Sequence, residues 1–322
     1  MQPRDLNADL EKLPSIMEIE RELSFPLVID SSMRPNLAAC PRKFYWSFIR
    51  RLRPAVPSIH LHAGGCFAKG LETFRREFYG NGQDFASARD AAWYEMISFW
   101  DQFEPTWSWE NPPWNKTLDA MLCALDHYFS VWPPADDAVK PLIQNGKPAI
   151  EFSFAVPIEG TVHPETGTPL IYAGRTDMLA IYNDVLFVED DKTTTQLGAS
   201  WNNQWDLRSQ FTGYCYAARS YGYPVGGVIV RGISILKNSY GNAQVVTYRP
   251  DWMIERWHKQ LVRDINRAIQ CWRDGWWDYA LDDACTAYGG CPFRSLCDKN
   301  DPERWINGYY EPNTWHPLLR GD

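Results

Sequence analysis

The chain has 322 residues, 45% hydrophobic and 22% charged, a balance that excludes a disulfide-stapled miniprotein, a disordered tail and a coiled coil. Its formal charge of -8 repels polyanions overall, so contact with nucleic acid would need a locally basic groove. The 16 Trp, 16 Tyr and 15 Phe suit a thick aromatic core, and rings of this kind also stack on bases or sugars.

Residues 1–30 form an acidic arm, with Asp5, Asp9, Glu11, Glu18, Glu20 and Glu22 where a secretory signal would have an apolar core. No run of eighteen apolar residues follows, so the chain reads as a cytoplasmic protein. In a reducing compartment clustered cysteines are metal ligands more often than disulfides. Cys66, Cys123, Cys215 and Cys271 stand alone and read as small buried hydrophobes, whereas Cys285, Cys291 and Cys297 are clustered.

The stretch from Ser31 to Leu52 predicts a turn and then a helix after Pro41, with Phe44, Phe48 and Leu52 on its inner stripe. Its other face carries Arg42, Lys43, Arg50, Arg51 and Arg53 beside Tyr45 and Trp46, which is either a patch that grips a phosphate backbone or a solvated helix face. Further helices are expected over Leu61 to Tyr79, Ala86 to Phe103 and Leu118 to Val131, the last two separated by a Pro- and Trp-rich loop. From residue 149 the pattern becomes alternating, predicting strands over 149–158, 170–182 and 185–193, with Asn183-Asp184 as a tight hairpin turn. A helix over Asn203 to Tyr221, a strand over Val225 to Leu236 and a long helix over Asp251 to Arg273 complete an α/β fold, a central mixed sheet flanked by helices. Trp201, Trp205, Phe211 and Tyr216 read as core or as base-stacking rings, and Trp252, Trp257, Trp272, Trp276 and Trp277 as packing.

The hairpin carries the chemistry. Pairing across Asn183-Asp184 brings Asp177 and Asp190 to one end of the sheet, and Lys192 shares a strand face with Asp190. Two hard oxygen anions suit Mg²⁺ or Mn²⁺, and a neighbouring ammonium can orient water or meet developing charge. The residues alone therefore describe a metal-assisted phosphodiesterase site, against the alternative of a solvated surface hairpin.

The ordered set Gly174-Arg175-x-Asp177, Asp190-x-Lys192 and Gln210-x-x-x-Tyr214 resembles the PD-(D/E)XK nuclease superfamily, in particular its RecB-type exonuclease branch. Cys40-Pro41-Arg42-Lys43, with Cys285-x5-Cys291 and Cys297, resembles the iron-sulfur members, including the CRISPR-associated RecB-like exonucleases. The resemblance implies a restriction-endonuclease-like core over 136–275, a helical N-terminal part over 31–135 and a cysteine-cluster tail over 276–322 that closes onto the N-terminal helix. It implies Asp177 and Asp190 as metal carboxylates, with the Asp191 carbonyl as a further ligand, Lys192 as catalytic lysine, and Glu151, Gln210 and Tyr214 at the site. Cys40, Cys285, Cys291 and Cys297 would hold a [4Fe-4S] cluster, or zinc.

Two positions depart from the pattern. Relatives have a histidine where this chain has Ala68, leaving His60, His62 or Glu72 as substitutes, and the Cys285 to Cys291 gap is long. The implied activity is a Mg²⁺- or Mn²⁺-dependent DNA exonuclease acting on single strands or ends in repair, recombination or end processing, with a helicase, recombinase or CRISPR-adaptation partner. The alternative is a DNA-binding module that kept the fold and lost cleavage. An iron-sulfur electron carrier has no flavin or nicotinamide site here to support it.

Overall fold

A computed structural model describes residues 23–55, 58–102, 113–287 and 290–313. The arm up to residue 22 and most of the Pro- and Trp-rich loop lie outside the described residues. The chain begins with β1 (Val28–Ile29), α1 (Met33–Ala39), α2 (Pro41–Phe44) with a π-helical turn (Tyr45–Ile49), β2 (Leu52–Pro54) and α3 (Ile59–Arg75). A second π-turn (Arg76–Gly80) leads to α4 (Phe85–Asp101), α5 (Leu118–Val131), β3 (Lys140–Pro141), β4 (Ile143–Gln144) and β5 (Lys147–Pro148). Then come β6 (Ile150–Pro157), β7 (Ile171–Tyr182), β8 (Val185–Thr194), α6 (Ala199–Asn203), α7 (Ser209–Ser220), β9 (Gly227–Ile235) and β10 (Tyr240–Tyr248). The described chain ends with α8 (Asp251–Asp274), α9 (Arg294–Cys297), α10 (Glu303–Tyr309) and β11 (Tyr310–Pro312).

The main sheet has the order β1-β7-β8-β9-β10, with β3 and β6 also pairing β7. β7 and β8 are antiparallel, β8 and β9 parallel, β9 and β10 antiparallel. The parallel pair requires a crossover, which α6 and α7 supply. This is the mixed sheet flanked by helices that the sequence pattern predicts.

The chain divides into two compact units that interleave in sequence, and β6 and β7 each have residues in both. The first unit takes the described residues between 58 and 152 and between 175 and 250. In it α3, α4 and α5 share a core with Ile233 and Ile235 of β9. Side chains alternate along a strand, so Gly232 faces the other way, toward α6, where a Cβ would come within 2.4 Å of the Trp201 ring. The second unit takes the described residues below 56, those of 153–174 and those from 251 on. There the predicted stripe of α8 is buried at Ile254, Trp257, Leu261, Ile265 and Ile269. A smaller cluster gathers Trp46, Leu52, Phe293, Leu296 and Tyr310 beside the β2–β11 ladder.

Several local expectations are corrected. A helix also precedes Pro41, and the two helices are broken at Cys40, whose extended backbone (φ -165, ψ 115) is what a residue before proline favours. Leu52 starts a strand and does not continue the helix stripe. The helix expected from Asn203 begins at Ser209, after the short α6. β10 was not expected, because YGNAQVVTY mixes Asn, Gln and Thr into a half-buried edge strand without clear alternation. Trp201, Trp205 and Phe211 are core, whereas Trp252 and Trp276 are exposed. Among the described residues no helix is long and apolar enough to cross a membrane.

The contact of Gly232 with Trp201 is rigid, since the indole is fixed edge-on to Trp205 at 5.2 Å. Gly232→Ala overfills this site and is expected to destabilise the protein by ~1–3 kcal/mol, read as a lower denaturation midpoint in urea.

Candidate active site

Asn183 and Asp184 have φ of 49 and 60, the left-handed pair that a two-residue hairpin needs. The ladder then runs from Tyr182↔Val185 to Met178↔Glu189. The next pair in register is Asp177 and Asp190, so both carboxylates stand on one face. Here the ladder ends, and Asp177 Oδ2 accepts the Asp191 N–H at 2.9 Å in place of a β7 carbonyl. The Lys192 ammonium pairs with Asp190 Oδ2. Burial drives the Asp190 carboxyl up to about 7 even though Lys192 opposes the change, and burial likewise raises Asp177. Gln210 and Tyr214 of α7 are joined by an amide N–H to hydroxyl bond of 2.8 Å. The Tyr214 phenol is pushed up by burial and by Asp190, so α7 delivers this pair to the Asp190 face.

Glu151 holds φ at 53, a left-handed conformation rare for a residue with a Cβ and of order 1 kcal/mol unfavourable. Its carboxylate meets Arg175 Nε at 2.5 Å. Burial, then Asp177, raises it to about 8; Arg175 and Arg76 oppose the shift, and Glu72 adds to it. Glu72 of α3 therefore belongs to the same charge cluster, paired with Arg76 at 2.7 Å and Lys69 at 3.7 Å. Ala68 is exposed one turn earlier, and so is His60. His62 is stacked on Phe99, with ring centroids 5.3 Å apart, and lies tilted against Trp100 at 4.7 Å, and burial lowers its pKa; it belongs to the α3–α4 packing.

The opposite face of β8 holds the Asp191 side chain together with Glu189, Arg75, Tyr128, Arg231 and Asp137, none of which but Asp191 was singled out in the sequence. Glu189 and Asp191 both meet Arg75, at 3.0 and 2.7 Å, and Arg75 also donates to the Tyr128 hydroxyl at 3.1 Å. Arg231 donates to the same hydroxyl at 3.1 Å and grips Asp137 through both nitrogens at 2.6 Å. The available signal was the run of three acids in a strand, which demands cations on both faces.

All four clustered cysteines lie in the second unit. Cys40 Sγ accepts the Ala280 N–H at 3.4 Å, and Cys285 Sγ lies 4.0 Å from the Ala280 carbonyl. Burial raises the Cys291 and Cys297 thiols, and Cys40 lies near enough to raise both further. The remaining thiols are buried except Cys123, which is exposed, against expectation. Among the described residues no group of three or more His, Cys, Asp or Glu stands in a metal-ligating arrangement. In the basic stretch Arg50 pairs with Glu303 at 2.9 Å and Arg53 with Glu311 at 2.8 Å. Arg51 donates to the Leu23 carbonyl at 3.2 Å, Arg42 lies 4.9 Å from the ring centres of Tyr45, Trp46 and Tyr279, and Lys43 is half-buried.

Residues 35–298 match the family model of the PD-(D/E)XK nuclease superfamily, and the chain belongs to that family. Among solved structures, a candidate exonuclease of Eubacterium rectale is 12% identical, with 89% of this chain and 94% of that one covered and a TM-score of 0.45. The protein SSO0001 is also 12% identical, with 90% and 93% covered and a TM-score of 0.35. Neither likeness bears on the function. No curated protein matches the sequence.

Glu151 gives a pH prediction with a definite sign. Its folded pKa of about 8 lies above the ordinary 4.5, so folded protein holds the extra proton between these values and loses stability as pH rises through them. Asparagine tolerates the left-handed backbone and carries no charge. In chelator-treated protein, Glu151→Asn is expected to melt above wild type at pH 9, with most of that gain gone at pH 4; a pH-independent difference would refute the shift.

Proposed function

We propose that this nuclease-family chain is a divalent-metal-dependent deoxyribonuclease, an exonuclease on single-stranded DNA or DNA ends that serves repair, recombination or end processing. The observation that carries the reading is the pair of half-buried Asp177 and buried Asp190, side by side on one sheet face with Lys192 and short of positive charge. Two such carboxylates fit Mg²⁺ or Mn²⁺, which keep several waters and need only one or two protein carboxylates. The ion would act as a Lewis acid toward the phosphodiester and acidify a bound water. Asp177, Asp190 and the Asp191 carbonyl would hold it.

Lys192, on the Asp190 face, orients the attacking water and meets the charge that develops on the phosphate. Gln210 and Tyr214 present an amide and a hydroxyl to the strand from α7. Glu151, displaced by its left-handed backbone and bonded to Arg175, supplies a further acid at the edge of the pair. Arg42, Lys43, Arg50, Arg51 and Arg53 remain the candidates for phosphate contacts, although Arg50 and Arg53 must leave their carboxylates to make them. For the second unit we propose that Cys40, Cys285, Cys291 and Cys297 hold a [4Fe-4S] cluster, with zinc as the alternative; the mutual electrostatic influence of Cys40, Cys291 and Cys297 supports a common site.

One observation favours a second reading, a DNA-binding module with weakened cleavage: Ala68 stands where relatives have histidine, and His62 is taken up by Phe99 and Trp100. The two readings separate in a gel assay of anaerobically purified protein on end-labelled single- and double-stranded DNA with Mg²⁺ or Mn²⁺. Degradation is expected, and Lys192→Ala should slow it by ~10²-fold or more. Binding without cleavage under either metal would favour the module. In the same preparation iron and a visible absorption band are expected, both lost in Cys40→Ser; zinc alone would overturn the cluster assignment.

A further inference from the structure

Glu189, Asp190 and Asp191 are consecutive, so Asp190 projects from one face of β8 and its two neighbours from the other. Glu189 and Asp191 are both buried, and a single guanidinium holds them: Arg75 Nη2 lies 3.0 Å from Glu189 Oε1 and 2.7 Å from Asp191 Oδ2. Arg75 is only 5% exposed and comes from the last turn of α3. Its third contact, the Tyr128 hydroxyl at 3.1 Å, is shared with Arg231, which Asp137 fixes in turn. Asp191 is therefore held by its side chain on one face, while its backbone N–H donates to Asp177 Oδ2 at 2.9 Å.

A buried ionic network of this kind is a poor source of stability, because desolvating the charges offsets most of their attraction. What it supplies is fixed geometry. Removing Arg75 would leave Asp191 free to rotate and would loosen the peptide whose N–H orients Asp177. It would also release α3 from β8, and α3 carries Glu72 to the neighbourhood of Glu151.

We propose that Arg75 is a positioning residue for the metal-binding carboxylates, acting through Asp191 on the orientation of Asp177; this rests on the nuclease reading above. Arg75 would thereby set the affinity of the folded protein for the metal, which a merely structural role would not change. Outer groups that orient metal ligands typically alter affinity by ~10–100-fold when removed.

The test is calorimetric titration of Mn²⁺ into the chelator-stripped full chain, with urea unfolding measured in parallel. Asp191→Asn keeps the backbone N–H and the side-chain shape but weakens the grip of Arg75, and it should weaken Mn²⁺ binding by ~10-fold or more. Arg75→Lys keeps the charge and should fall between wild type and Asp191→Asn; it also carries the test if Asp191→Asn does not fold. Folded variants with a lower urea midpoint but wild-type Mn²⁺ affinity would overturn the proposal and leave the nuclease reading intact. Wild-type protein that takes up no Mn²⁺, under conditions where it is folded, would remove that reading and the proposal together.

Discussion

The two-residue turn at Asn183-Asp184 sets β7 against β8, and the site depends on that register. A slip of one residue would turn Asp190 and Lys192 to the face of Arg75 and send Glu189 and Asp191 toward α7. Asp177 would then face Glu189 and Asp191 without the lysine, and Arg75 would meet Asp190 and Lys192 in place of two acids. Electrostatics and backbone geometry thus select the same pairing: the left-handed residues of the turn permit it, and the separate placement of Arg75 and Lys192 rejects its nearest competitor.

The same register concentrates negative charge in a poorly solvated place. Asp177, Asp190 and Glu151 are all raised by burial, and each of them feels another carboxylate. Lys192, Arg175 and, from the other face of β8, Arg75 oppose this field without cancelling it. Arg76 helps only from a half-exposed position. A site so arranged is under-compensated in the absence of a cation, and its hard oxygen donors match a hydrated divalent ion. Overall negative charge then matters less to a polyanionic substrate than the local balance.

The hairpin, its turn and the common face of Asp177, Asp190 and Lys192 were legible because strand alternation and a turn dipeptide are local properties. The long helices were legible for the same reason, through their apolar stripes. Arg75 was not: an arginine near the end of an amphipathic helix reads as solvated, and its partners lie more than a hundred residues away. The partners of Arg50 and Arg53 are as remote, so a stretch that reads as five available cations contains ion pairs with Glu303 and Glu311. Nor does any periodicity announce the left-handed backbone at Glu151, which is imposed by its surroundings. Cys40 lies between these cases, since the break before Pro41 follows from proline sterics but the helix in front of it does not.

Helix α3 brings these threads together. Its Ala68 is an exposed residue without a donor, while the following turns supply Glu72, Arg75 and Arg76. The Glu72 carboxylate makes the cluster more negative, and the raised Glu151 registers that charge. Arg76 offsets part of it at the surface, and Arg75 offsets the acids on the opposite face. The helix thus offers a carboxylate near Glu151 and a guanidinium behind Asp191, and it acts on the Asp177 and Asp190 pair through charge and orientation.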